Sequence, residues 1–241
     1  MLNAQCSMLN SERSMLNDLC LVDKPLDWTS FDVVAKLRNA YSKQLGKRCK
    51  VGHAGTLDPK ATGLLLIAAG KKTKEISSLE VLIKEYTGEI KLGATTKSFD
   101  TETEEENLCD TSQVSGVDLK EVAASFLGKQ MQSPPMFSAT WHQGKRLYEL
   151  ARRGAEVERV PKLIEVFEFE LTHIQLPSIA FRIVVSKGAY IRTIAHDFGA
   201  KLGVGGYLRA LRRTRVGSYT IEDALSVAAC VELIRTRKFE I

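Results

Sequence analysis

The stretch Gly52-His53-Ala54-Gly55-Thr56-Leu57-Asp58-Pro59-Lys60-Ala61-Thr62-Gly63-Leu64-Leu65 places one carboxylate in a glycine-bracketed turn beside a proline. Pro59 disfavours the helical region for Asp58 and pushes it towards extended geometry, while Gly55 and Gly63 allow backbone paths that other residues resist. The apolar run Leu64 to Ala69 that follows is short enough to be a buried strand or the start of a buried helix, and either would anchor the turn. A fixed acid on a rigid base suits a nucleophile. Asp, Pro and Gly are also the usual turn formers, so local chemistry alone favours an ordinary turn.

Working outward, the chain of 241 residues with 44% hydrophobic content can bury a sizeable core. Its formal charge of +5 is mild, but the cations are clustered. Six basic residues and no acid lie between Lys36 and Lys50, Lys71, Lys72 and Lys74 follow, and Arg209, Arg212, Arg213 and Arg215 fall within seven positions. Such runs often end as solvated helix faces, yet several patches without a lipid-anchor signal point to nucleic acid. The five cysteines form no CxxC pair, which predicts a reducing, cytoplasmic setting. No apolar run reaches membrane-spanning length, and the polar N-terminus lacks a signal-peptide core, so no membrane partner is expected. The four histidines have no ligand spacing, and neither a P-loop nor a dinucleotide fingerprint occurs; the expectation is no metal and no cofactor.

Residues 1–18 carry a short repeat with Met1, Met8 and Met15 at a period of seven, read as an extension outside the fold, with Met15 an alternative start. Residues 19–241 read as one catalytic domain. Leu19 to Pro25 has a buried-strand pattern, and Val33, Val34, Leu37, Tyr41 and Leu45 recur at helical spacing after a cap at Thr29 or Ser30. Tyr86, Gly88, Ile90 and Leu92 alternate as one face of a strand, with Tyr86 inward. Asp100 to Asp110 reads as an exposed acidic loop, 118–127 as a short helix, and 133–161 as a long excursion with a helical middle. Phe167, Phe169 and Leu171, then Ile179, Phe181, Ile183 and Val185, predict two antiparallel strands. Ala189 to Arg192 reads as a strand entering a helix, and the segment after Gly206 as an Arg-rich helix. The fold class is α+β, a mixed and largely antiparallel sheet flanked by helices.

From Leu21 to Tyr219 the chain resembles the TruB-type tRNA pseudouridine synthases in several motifs taken in order. The Asp58 block resembles the catalytic motif GHxGxLDPxAxGxL. Leu21 to Pro25 resembles the KP motif, and Lys84 to Gly88 the tyrosine strand. Pro134 to Ala139 with Gly144 and Tyr148 resembles the RNA-gripping thumb loop, inserted at about 133–161. Ser186 to Arg192 and Leu211 to Thr214 with Gly217 resemble the segments that close the uridine pocket.

The resemblance implies the pseudouridine synthase fold and isomerisation of uridine 55, in the T loop of tRNA, to pseudouridine, on a flipped-out base. Asp58 would be the nucleophile, attacking either the sugar or the base ring. Tyr86 would stack on the target base, and Tyr190 would contact its other side and could assist proton removal from C5. Arg192 would pair with Asp58, with Asp100 as a second partner. His53 would fill the space the base vacates or contact a phosphate, and Leu211 would wall the pocket. Lys24, before a proline with no partner in view, reads as structural.

Without the resemblance, the two tyrosines read as core residues with a surface hydroxyl, Arg192 as a phosphate ligand or solvated side chain, and His53 as a turn residue. The chain is expected to lack the C-terminal PUA domain of many relatives, and Trp141 stands where a basic thumb residue is common. A stand-alone monomer acting on the tRNA T stem-loop without guide RNA is expected. The alternatives are a tRNA-folding chaperone with little catalysis and an N-glycosidase that releases the base.

Overall fold

The computed structural model describes residues 15–16 and 19–237. The extension expected over residues 1–18 lies outside the described residues, apart from the two-residue strand Met15–Leu16 that pairs antiparallel with Leu19–Lys24. The described residues form two compact units, those up to residue 86 together with those from residue 212, and residues 87–211. The boundaries fall inside two strands, Lys84–Leu92 and Gly206–Val216.

The first unit is built around the strand Ala61–Ala69, which resolves the ambiguity of the Leu64 run in favour of a strand. It is flanked by Leu19–Lys24 and Gly206–Val216, and Val51–Ala54 also pairs with it. Leu225–Ser226 adds a parallel pairing to Leu19–Lys24, so the sheet is mixed. Leu19, Leu21, Leu64, Leu66, Ala68 and Val216 form one apolar cluster on it. Helix Ser30–Leu45 buries Val33, Val34, Leu37 and Tyr41, as the spacing predicts, and packs with helix Val227–Thr236. Its cap is Thr29, in a reciprocal box with Asp32.

In the second unit Lys84–Leu92, Ser178–Val185, Lys162–Gln175 and Gly128–Gln132 lie side by side, with helices Gly116–Ala124 and Ile191–Lys201. Phe126, Phe169, Phe181 and Phe198 form an aromatic core with ring centroids 5.8–6.3 Å apart. The excursion 133–161 holds a small hairpin, Trp141–His142 with Lys145–Arg146, and the short helix Leu147–Ala151. Among the described residues no helix is long and apolar enough to cross a membrane.

Four expectations are corrected. Gly206–Val216 is a strand and not an Arg-rich helix. Its Leu, Ala and Arg residues are good helix formers, but two neighbouring strands offer it hydrogen-bond ladders, and pairing overrides propensity. Glycine permits the close approach: a Cβ at Gly63, where φ is +100°, would sit 2.3 Å from the Arg213 carbonyl oxygen. Ala189 to Arg192 is not a strand; Tyr190 is the N-cap of helix Ile191–Lys201 and Arg192 lies in its first turn. Phe167 is 42% exposed because it is the extra residue of a bulge, and Ile164 and Val166 carry the inward face before it. Asp100, expected at the start of an exposed loop, is buried.

Candidate active site

The Asp58 turn is held through its backbone. The hydroxyl of buried Ser30 donates to the Leu57 carbonyl at 2.9 Å and accepts from the Leu57 N–H at 2.8 Å, so one side chain clamps both polar groups of the residue before Asp58. The Ala61 N–H donates to the Asp58 carbonyl at 3.0 Å, and the Asp27 N–H to the Pro59 carbonyl at 2.9 Å. Fully buried Arg213 donates through Nε to the Leu64 carbonyl at 2.7 Å and through Nη2 to the Gly55 carbonyl at 3.0 Å. Both ends of the loop therefore hang on one guanidinium.

Lys24 is buried as well, and its ammonium donates to the carbonyls of Trp28 at 2.6 Å, Pro25 at 2.9 Å and Pro59 at 3.5 Å. Burial pushes its pKa down to about 8, against the opposing pull of the Asp58 carboxylate. The lysine thus has partners that a linear reading does not reveal, and it ties the KP segment to the Asp58 turn. His53 lies on Val51–Ala54, opposite Ile67, with its buried Nδ1 lacking a hydrogen bond. Burial and then the Arg213 charge lower its pKa, so the ring is neutral near pH 7. Tyr86 is buried on its strand, as the alternation predicts. Beside it, Glu85 accepts from the Thr214 hydroxyl at 2.8 Å and pairs with Arg215 at 3.4 Å.

The second unit holds the other expected residues. The side-chain amide of buried Gln132 grips the Tyr190 backbone, accepting from its N–H at 2.8 Å and donating to its carbonyl at 3.1 Å. The Tyr190 hydroxyl lies 3.1 Å from the Thr140 hydroxyl, which belongs to the 133–161 excursion. Arg192 is 4% exposed; it donates to the carbonyls of Ser98 at 3.1 Å and Phe137 at 2.9 Å, and its Nε is 3.6 Å from buried Asp100. Asp100 also accepts from the Glu102 N–H at 2.9 Å. Leu211 is half-buried at the end of the unit. Near these groups, Phe99 stacks on His196 with centroids 3.8 Å apart.

Asp58, His53 and Tyr86 thus share the first unit with Lys24, Ser30 and Arg213, while Tyr190, Arg192 and Leu211 share the second with Gln132 and Asp100. Sequence reasoning missed Ser30, Arg213 and Gln132 as positioning residues. Ser30 is one of two candidate caps in the sequence; the adjacent Thr29 takes that part, which releases the Ser30 hydroxyl for Leu57.

Models of the TruB family pseudouridylate synthase N-terminal domain and of the tRNA pseudouridylate synthase B C-terminal domain match residues 43–191 and 192–238. The tRNA pseudouridine synthase B of Chloroherpeton thalassium is 59% identical over 218 residues, 90% of either chain. That of Flavobacterium johnsoniae is 45% identical over 229 residues, 94% of this chain and all of its own. Among solved structures, a chain of a Cbf5–Nop10–Gar1 complex superposes with a TM-score of 0.69 at 28% identity, over 92% of this chain and 56% of that one. A chain from an H/ACA RNP bound to a substrate RNA containing 2'-deoxyuridine gives 0.65 at 25% identity, over 93% and 55%. This chain therefore spans little more than half the length of those solved chains. Fold and matches define an enzyme of the pseudouridine synthase class, an isomerase. Within that class, the chain belongs to the TruB family.

Proposed function

We propose that this enzyme converts uridine 55 in the T loop of tRNA to pseudouridine, with Asp58 as the nucleophile. The observation that carries the reading is the immobilised turn: Ser30, Lys24 and Arg213 all grip its backbone, so the carboxylate is delivered in one place. Preorganisation of this kind lowers the cost of attack by a weak nucleophile. Attack at the sugar or at the base ring permits the glycosidic bond to break, the base to turn, and C5 to bond to the sugar carbon, and the bond to Asp58 breaks to return the free carboxylate. The C5 proton then leaves to solvent and N1 is protonated, so atoms balance within one nucleotide.

In this reading Tyr86 stacks on the flipped base and Tyr190 contacts its other side, with its backbone fixed by Gln132. Arg192 serves as a partner of Asp58, and Leu211 walls the base. Neutral His53 favours filling the space the base leaves over a charged contact to phosphate. Tritium release from tRNA labelled at uridine C5 tests the proposal, with product nucleosides identified. Wild type should release tritium and form pseudouridine, and Asp58→Ala should lose at least roughly 10⁴-fold in rate, the scale set by nucleophile deletions, while still binding tRNA. Free uracil among the products would instead identify a glycosidase, and tight binding without release an RNA-folding protein.

A further inference from the structure

The first unit carries a cationic surface outside the candidate site. The 43–50 and 70–74 segments are separate in sequence, but the Gly70 N–H donates to the Lys50 carbonyl at 2.9 Å and Val51 pairs with Ala69, which sets the two side by side. Lys43, Lys47, Arg48 and Lys50 therefore adjoin Lys71, Lys72 and Lys74; all are exposed except Lys72, which is bound to Glu75 at 2.8 Å. Between Asp32 and Glu75 the sequence contains one acid, Asp58. The platform is built, too: Gly46 closes the preceding helix in the left-handed conformation, the Cys49 N–H is held by Ser42 at 3.1 Å, and Thr73 donates to the Gly70 carbonyl at 2.8 Å.

Its place relative to the chemistry follows from one strand. Ala61 is bonded to the Asp58 carbonyl at one end of Ala61–Ala69, and Gly70 begins the cationic run at the other. Eight rises of an antiparallel strand separate the ends by about 27 Å. A target nucleotide at Asp58 cannot itself reach that surface, so any RNA contact there is made by a distant part of the same molecule.

We propose that this surface binds backbone phosphates of the paired stem region that carries the target loop; the proposal rests on the RNA-isomerase reading above. Three features select this ligand. Neither segment contains an aromatic residue on which an unpaired base could stack, which disfavours single-stranded RNA. None of the exposed large apolar side chains among the described residues falls in either segment, so there is no wedge for a bilayer. Ammonium groups on long stems suit the point-charge contacts that duplex phosphates offer.

The test compares full-length tRNA with a T stem-loop trimmed to a few base pairs, using wild type and a variant with Lys47→Glu, Arg48→Glu, Lys71→Glu and Lys74→Glu. Wild type should bind the tRNA more tightly than the short RNA. The variant should lose most of that difference, about tenfold or more near 0.1 M salt, with the log–log salt slope for tRNA shallower by roughly 2 to 4. A milder variant with Gln at the same positions should move the same way by less. Turnover of the short RNA should be unchanged, which also shows that the variant folds. Unchanged tRNA affinity and slope would overturn the proposal, as would equal losses on both RNAs. Wild type that binds tRNA through this surface without releasing tritium would strike the isomerase reading and leave the surface standing.

Discussion

Arg213 in the first unit and Arg192 in the second are both buried guanidiniums, yet they are satisfied in different ways. Arg213 bonds to two carbonyls, those of Leu64 and Gly55, and so splints a loop. Arg192 also bonds to two carbonyls, of Ser98 and Phe137, but faces the buried Asp100 carboxylate besides. Loss of the first leaves neutral groups without partners. Loss of the second leaves a charge. The two regions therefore reach the same end, a fixed functional side chain, by devices that differ in what their failure would cost.

The largest expected effect sharpens that contrast. Arg192→Met should destabilise the protein by about 3–5 kcal/mol, because buried Asp100 loses the guanidinium that faces it. Urea unfolding of this variant should improve when Asp100→Asn is added, since the stranded charge is then removed; no rescue would mean that Asp100 is not the partner that matters. Arg213→Met should cost less, about 2–3 kcal/mol, the lower end for two neutral buried carbonyls at about 1–3 kcal/mol each. Here no second-site substitution of a carboxylate should help. An Arg213 variant rescued by removing an acid would dissolve the distinction between the regions.

The same contrast explains what was legible in the sequence. Asp58 stands out because Gly and Pro around it leave a local signature, and the alternation over Lys84–Leu92 places Tyr86 inward correctly, since a half-buried strand writes its two faces into a period of two. The Leu211-to-Thr214 segment resembles a pocket motif, but nothing local marks it as a strand: its Leu, Ala and Arg residues suit a helix, and only the ladders on both sides decide otherwise. Phe167 fails for a related reason, because one inserted residue flips the inward set and an alternating string conceals where the insertion falls. Ser30, Gln132 and Arg213 act on backbone groups far along the chain. A bond from a side chain to a carbonyl leaves no pattern, since every residue has a carbonyl.

Ser30→Ala probes the weaker end of the scale. It deletes both bonds to Leu57, and the cost should be about 1–3 kcal/mol, the penalty for leaving buried backbone groups unmatched. Under the proposed mechanism, kcat should fall more than KM rises, because a loosened turn misplaces the nucleophile without touching RNA contacts. Ser30→Thr keeps the hydroxyl and should restore part of the rate. A variant with reduced stability but wild-type kcat would show that the turn needs no such clamp.

Lys24 offers the most conditional effect. Its folded pKa of about 8 lies below the 10.5 of an exposed lysine. Between those values the unfolded chain binds more protons than the folded one, so this group makes stability rise with pH across the window, while below pH 8 the burial cost is present in full. The rise can be no steeper than about 1.4 kcal/mol per pH unit. Lys24→Met should therefore remove an upward slope from pH 8 to 10.5 that wild type shows in urea unfolding, the titrations common to both proteins cancelling in the difference. Parallel curves would mean that the ammonium is solvated in spite of its three carbonyl partners, and the Asp58 turn would then owe its rigidity to Ser30 and Arg213 alone.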